Sequence, residues 1–459
     1  MSPAAFIWLA SAAALPVSGA PLLLHSEFRR FGPACRTVLA GAAGAVVLSW
    51  TMTLLSLVGV SWHLLPLLLL AAAQSFALRF VLPRRGPGFP PVFERVREPE
   101  RMWRRAGVLV CGAAILAAFV AALGAAATSA DLLLFWGPKA QAFAAARRID
   151  DIFLGEPFLR YLHTSYPPLV TNLYAFATVA SGRFPWMAAA ATSPLLLLAC
   201  VAALPGILRR SIGRLEAVAA AAAIAATLGF LSHTLEIAGN ADMALLLFET
   251  LAVALLLGPD GESRAGQLAA GLLFAGAAAA KVEGLPFVLA AGVFFLWSAR
   301  RRLSWPSAPL LLFAPAALSL GAWFAFGRAT FLFHGYEGYG RTLDVHLERL
   351  PFVLAAIWKS IWTAGAALPW LVPAAAWLAA RSRSRGSLYP VVVGAVLSAF
   401  FLFTYLHGPD PGLWIQWSAG RIFMVLCPLF VLGAVTPREE RRDSAGSGGG
   451  PDTPPEPPD

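Results

Sequence analysis

The chain is poor in charge. Asp, Glu, Lys and Arg make up 13 % of its 459 residues and hydrophobic side chains 58 %, against roughly 25 % charge in soluble domains. A mean hydropathy of +0.68 excludes an ordinary water-soluble fold. Lysine is nearly missing: Lys139, Lys281 and Lys359 are the three lysines among 35 basic residues. The four cysteines, Cys35, Cys111, Cys200 and Cys427, lie in or beside different apolar runs. Nothing in their spacing fits a metal site or a disulfide framework, so they read as small packing residues. The short alternating segments of a β-barrel are absent. So are an internal repeat, a His-rich tract, a Ser/His/Asp signature and a basic stretch ahead of the first apolar run. Residues 4–24 therefore read as an uncleaved first helix that starts outside.

What the chain does have is long hydrocarbon runs, at 4–24, 37–59, 64–82, 106–128, 186–208, 215–232, 241–257, 266–280, 284–299, 307–327, 352–378, 388–406 and 421–435. A membrane helix needs about 20 such residues. The expectation is an all-α polytopic membrane protein with about 13 transmembrane helices. Segment 167–181 is apolar but short, and carries Thr171, Asn172 and Tyr174. A span there would invert every later loop, so a re-entrant or interfacial helix is expected instead.

The net charge of +10 invites a nucleic-acid reading, but its placement argues against one. Basic residues gather at 29–36, 84–105, 209–214, 300–302, 381–385 and 438–442, in alternate connections. This is the positive-inside pattern, which makes those connections cytoplasmic. The connections at 129–184, 232–240, 281–283, 328–350 and 407–420 then face outward. Three regions follow: N-terminal helices with a basic loop (1–105), a membrane core (106–435), and a tail (436–459). The tail is too rich in Gly, Ser and Pro to form a core.

The residues able to do chemistry collect on the outer side. Asp131 ends the uncharged run 106–128, either as a general base or as the N-cap of the next helix. Phe135, Trp136, Ala140 and Phe143 follow at helical spacing, which predicts an amphipathic helix along the outer membrane face. His163-Thr-Ser-Tyr166-Pro-Pro-Leu169 comes next. Its prolines hold an extended turn, and His163 and Tyr166 are placed to bind a sugar or phosphate. His233, Glu236, Asn240 and Asp242 form a third group without metal-motif spacing, and Asp242 also reads as a helix cap. Lys281-Val-Glu283-Gly284 offers either a mutual ion pair or a ligand contact, because charges beside the membrane core usually mark pairs or pathways. Trp414 and Trp417 suit an interfacial belt, and Arg421 stands near the start of the last run. Lys139 and Lys281 are compact cations suited to a phosphate.

In their order and sidedness these features resemble the GT-C superfamily of polyprenyl-phosphate-dependent glycosyltransferases, especially the protein O-mannosyltransferase, aminoarabinose-transferase and Rgt-like group. The likeness rests on Asp131, Trp136-Gly-Pro-Lys139-Ala, Tyr166-Pro-Pro-Leu169, Ala241-Asp242-Met243 and Lys281-Val-Glu283-Gly284. It covers roughly residues 106–287. Tyr166 stands where aminoarabinose transferases carry a lysine, and three helices precede the one that leads to Asp131. The resemblance implies a multi-pass enzyme of the inner (plasma) membrane with a polyprenyl-phosphate sugar as donor. Its acceptor would be a hydroxyl of the cell envelope or of a lipid, and the transfer would be inverting. Asp131 would act as general base, with Lys139, His163, Tyr166, His233, Glu236, Asp242, Lys281, Glu283 and Arg421 around the substrates. No nucleotide sugar or soluble cofactor is required, and a divalent metal stays open but without support from the residue spacing. The rival expectation is a secondary transporter or lipid flippase, for which Glu249, deep in an apolar run, is the best support.

Overall fold

Long apolar runs become helices here because a backbone inside a bilayer must satisfy its own hydrogen bonds. The computed structural model describes residues 2–82, 98–156, 164, 166–209, 211–230, 238–303, 306–330, 332, 345–364, 385–407 and 410–435. His163, His233, Glu236, most of loop 328–350 and tail 436–459 lie outside the described residues. Eight helices among the described residues are long and apolar enough to cross a membrane: Pro3–Leu23, Pro33–Leu57, Leu64–Val81, Arg101–Ala125, Trp186–Leu208, Ser307–Ala329, Leu388–His407 and Pro411–Val435. The protein is a multi-pass helical membrane protein.

Along the chain, α1 (Pro3–Ala10) and α2 (Ala14–Leu23) lead into α3 (Pro33–Leu57), α4 (Leu64–Leu78) and α5 (Glu98–Ala125). The segment between α5 and the next long apolar helix holds α6 (Gly137–Ala146), α7 (Asp151–Gly155) and α8 (Leu169–Ser181). Then come α9 (Trp186–Ala190), α10 (Thr192–Leu208), α11 (Arg214–Phe230), α12 (Asp242–Leu257), α13 (Arg264–Ala280) and α14 (Gly284–Ala299). The last four are α15 (Ser307–Ala329), α16 (Leu350–Ala364), α17 (Arg385–His407) and α18 (Pro411–Val435).

Two helix starts differ most from the sequence reading. Helix α5 starts at Glu98 rather than near 106, carrying its basic residues on a helical turn. Helix α18 starts at Pro411, ahead of the expected 421, so Trp414 and Trp417 belong to the helix and not to a loop, and Arg421 lies well inside it. The local chemistry explains the second case. Asp410 Oδ1 accepts the Leu413 N–H at 3.1 Å, and proline at the first helical position suits a start there. Ser418 then returns its hydroxyl to the Trp414 carbonyl at 2.6 Å, so a polar residue sits within the helix.

The centre is α12 and α13. Every residue from Asp242 to Leu256, and from Ala265 to Ala280, is buried. A helix that is apolar all round belongs inside, where it needs no lipid-facing stripe. Elsewhere small residues let backbones touch. A Cβ on Gly44 would overlap the Leu15 carbonyl oxygen, which makes glycine necessary where α3 crosses α2.

Helix α8 is too short to span: 13 residues rise about 20 Å, against a hydrocarbon core of ~30 Å. It is pinned by side chains instead. Asn172 Nδ2 donates to the Ser49 carbonyl (3.2 Å), Ser49 Oγ (3.1 Å) and Thr53 Oγ1 (3.2 Å) of α3. Trp8 Nε1 donates to Thr178 Oγ1 at 3.2 Å.

Three of the basic connections, 29–36, 209–214 and 300–302, meet the 258–263 turn at the other end of α12. Arg30 pairs with Asp260 at 3.1 Å and donates to Ser263 Oγ at 2.7 Å, while Arg209 donates to the Arg30 carbonyl at 3.1 Å. Arg302 pairs with Glu262 at 2.7 Å. Helix α12 runs between this end and Asp242, about 24 Å for its 16 residues.

Candidate active site

Asp131 owes its position to an unusual turn. Residues Leu132–Trp136 form one turn of π-helix before α6 begins. Pro138 has no N–H to close an ordinary helical bond, and its ring crowds the preceding turn, so the helix widens there. Asp131 itself has helical dihedrals and makes no capping bond. The capping alternative is therefore replaced: its Oδ2 accepts a hydrogen bond from Arg421 Nη1, 290 residues away on α18.

The expected amphipathic helix exists as α6, but its apolar face is turned to protein rather than to lipid. Trp136, Ala140 and Phe143 are buried. Phe143 meets Trp62 edge-on at 6.5 Å, and Trp62 N donates to the Arg147 carbonyl at 2.6 Å. One turn back, Lys139 is also buried, its ammonium 4.6 Å from the centroid of the Trp136 ring. Burial drives the Lys139 pKa down from 10.5 to about 7, and the nearby Asp131 charge opposes that shift only in part. Trp136 in turn lies 6.1 Å from Tyr166, whose phenol is within electrostatic reach of Arg421.

Asp242 opens α12, and the link before it is tied down from three directions. Ser129 Oγ donates to the Ala238 carbonyl (2.8 Å), Ser193 Oγ accepts from Gly239 N (2.8 Å), and Tyr174 OH donates to the Gly239 carbonyl (2.9 Å). Gly239 has φ 71° and abuts Leu132, a place with no room for a Cβ. Asn240 Oδ1 accepts from Asp242 N at 3.0 Å. The Asp242 side chain does not cap α12, contrary to that reading. It faces inward, where Lys281 Nζ lies 2.8 Å from Oδ1 and Arg421 Nη1 lies 3.8 Å from Oδ2. Lys281 also contacts Glu283 at 3.4 Å. The expected Lys281–Glu283 pair is thus present, but Asp242 is the nearer partner.

Seven of the ten residues singled out from sequence therefore converge: Asp131, Lys139, Tyr166, Asp242, Lys281, Glu283 and Arg421. Three carboxylates, Asp131, Asp242 and Glu283, face the two cations Lys281 and Arg421 in one connected network. Asp242 Oδ2, Glu283 Oε2 and Arg421 Nε have no hydrogen-bond partner among the described residues. A cavity beside the network, with room for about one water, is lined by Asp242, Glu249, Lys281 and Glu283 and, on α17 and α18, by Phe401 and Val425. Among the described residues no group of three or more His, Cys, Asp or Glu is arranged to hold a metal.

Sequence reasoning missed Tyr405. It is buried on α17, shares a 2.7 Å hydrogen bond with Ser418 Oγ, and lies within electrostatic reach of Glu283, Arg421 and Lys281. The available signal was a phenol inside an otherwise apolar run. Glu249, two helical turns below Asp242 on α12, is buried with Oε2 unpartnered among the described residues. Comparison with protein-family models, with curated proteins and with solved structures finds no match for this chain.

Proposed function

We propose that the network is the active site of a membrane glycosyltransferase of GT-C type, with about 13 transmembrane helices, in the inner (plasma) membrane. The donor is a polyprenyl-phosphate sugar and the acceptor a hydroxyl presented at the outer face. The observation that carries this reading is the convergence of Asp131, Asp242, Lys281, Glu283 and Arg421, from separate parts of the chain, at the end of the bundle away from the arginine-rich connections. Charges beside the membrane core are costly to maintain and mark function.

The chemistry assigns each group a task. The Asp131 carboxylate takes the proton of the acceptor hydroxyl. The acceptor oxygen bonds the anomeric carbon from the face opposite the phosphate, and the bond from that carbon to the phosphate oxygen breaks. Polyprenyl phosphate leaves with the electron pair, and nearby cations, Arg421 and Lys139 first, stabilise its charge. Attack from the opposite face inverts the anomeric centre.

The test compares lipid extracts of cells carrying the wild-type chain, a deletion, or Asp131→Asn. A polyprenyl-phosphate sugar should accumulate in both altered strains. An unchanged lipid profile in the deletion would remove this reading. Glu249 favours a second one, a proton- or ion-coupled transporter, because a buried carboxylate lines the same cavity. That reading expects gradient-driven flux in liposomes that Glu249→Gln abolishes, with no sugar-lipid consumed.

A further inference from the structure

The cations of the network are already engaged. Lys281 is held between Asp242 at 2.8 Å and Glu283 at 3.4 Å. The Lys139 ammonium rests on the face of Trp136. Arg421 is held through Nη1, which is on Asp131 and 3.8 Å from Asp242 Oδ2, while its buried Nε has no hydrogen-bond partner among the described residues. A guanidinium carries five donors in a planar fork, and one edge matches two phosphate oxygens. A phosphate admitted to this cluster therefore meets the unpartnered, buried Nε of Arg421, on a group that is also holding the intended base.

Resting on the glycosyl-transfer reading, we propose that Arg421 is a positioning residue shared between Asp131 and the donor phosphate. Before a phosphate engages it, the guanidinium holds the Asp131 carboxylate. When a phosphate takes the guanidinium, the carboxylate turns to the acceptor hydroxyl. The base is thus withheld until the donor is bound, and donor binds before acceptor. Asp131 and the phosphate compete for one cation, so removing the Asp131 charge strengthens phosphate binding.

Full-length protein in lipid nanodiscs, titrated calorimetrically with farnesyl phosphate as a short polyprenyl monophosphate, measures this competition. Asp131→Asn should bind the probe roughly tenfold tighter than wild type, the worth of about one charge-assisted hydrogen bond. Arg421→Gln should bind at least about tenfold weaker, and Arg421→Lys should recover part of the loss because it lacks the fork. In the Arg421→Gln background the Asp131→Asn change should have no effect. A loosened fold does not tighten a ligand, so the first result separates sharing from a structural role. Equal or weaker binding by Asp131→Asn overturns the proposal, and so does tightening that persists without Arg421, which would be plain charge repulsion. If Asp131→Asn fails to accumulate, Asp131→Ser removes the same charge and is read the same way. Absence of probe binding by the wild type removes the polyprenyl-phosphate reading, and this proposal with it.

Discussion

Lys139 stands 4.6 Å above the Trp136 ring in a buried position, and its lowered pKa makes pH a direct probe of its role. Near pH 7 it exchanges between ammonium and neutral amine. As a phosphate cation it acts only when protonated, so turnover should fall as pH rises through about 7. Lys139→Arg should flatten that limb, because arginine stays charged. A pH profile identical in wild type and Lys139→Arg would remove Lys139 from the reaction. The sign for stability is opposite. The unfolded chain keeps the proton up to about 10.5, whereas the folded one loses it near 7, so this group's penalty is complete below 7 and is relieved between 7 and 10.5. Lys139→Met should therefore stabilise the protein more at pH 6 than at pH 10, measured by thermal unfolding in detergent. Lys281 behaves differently because it is paired. Breaking a buried pair by removing one partner costs about 3–5 kcal/mol. Lys281→Gln should therefore destabilise the fold, and Asp242→Asn in the same chain should recover part of that loss.

Among the elements, the α2–α3 crossing gives a clean test. Gly44→Val places carbon where the Leu15 carbonyl stands, and overpacking of this kind costs about 1–3 kcal/mol. The melting point should fall, while the same change at Gly112, which has open space around it, should leave it unaltered. Helices were legible in the sequence wherever an apolar run set them: a helix lies on each of the runs, α1–α2 to α18. The start of α18 was less legible because Gln416 and Ser418 dilute its hydropathy, although Asp410-Pro411 marks a helix start. The π turn after Asp131 was hidden because Leu132 to Trp136 looks like any other helical stretch. What sets it apart is the missing N–H of Pro138. For the site, the sequence supplied the residues but not their partners. Asp131 and Arg421 are 290 positions apart, and only the packing of α18 against the bundle brings them together. Asp242 looked like a cap because it opens a helix, whereas the nearby cations claim its side chain.

At the scale of the whole molecule, the positive-inside rule assigns the arginine-rich end to the cytoplasmic side and the charged network to the outer side, which cysteine labelling tests. Gly155 is exposed at the end of α7, and Arg301 is exposed in the connection after α14. In a background without the four native cysteines, Gly155→Cys should react with an impermeant thiol reagent in intact cells, and Arg301→Cys only after permeabilisation. The reverse pattern would invert the topology and move the charged network to the cytoplasmic face. The central claim is that Asp131 is the base of a glycosyl transfer from lipid-linked sugar. Its most direct test is turnover of a defined polyprenyl-phosphate sugar by purified protein in liposomes, comparing wild type with a folded Asp131→Asn variant. The expected result is release of polyprenyl phosphate by wild type and a drop of about 10² to 10⁴-fold in the variant, the usual worth of a general base. Near-equal turnover by the two proteins, or no turnover by the wild type, would contradict it.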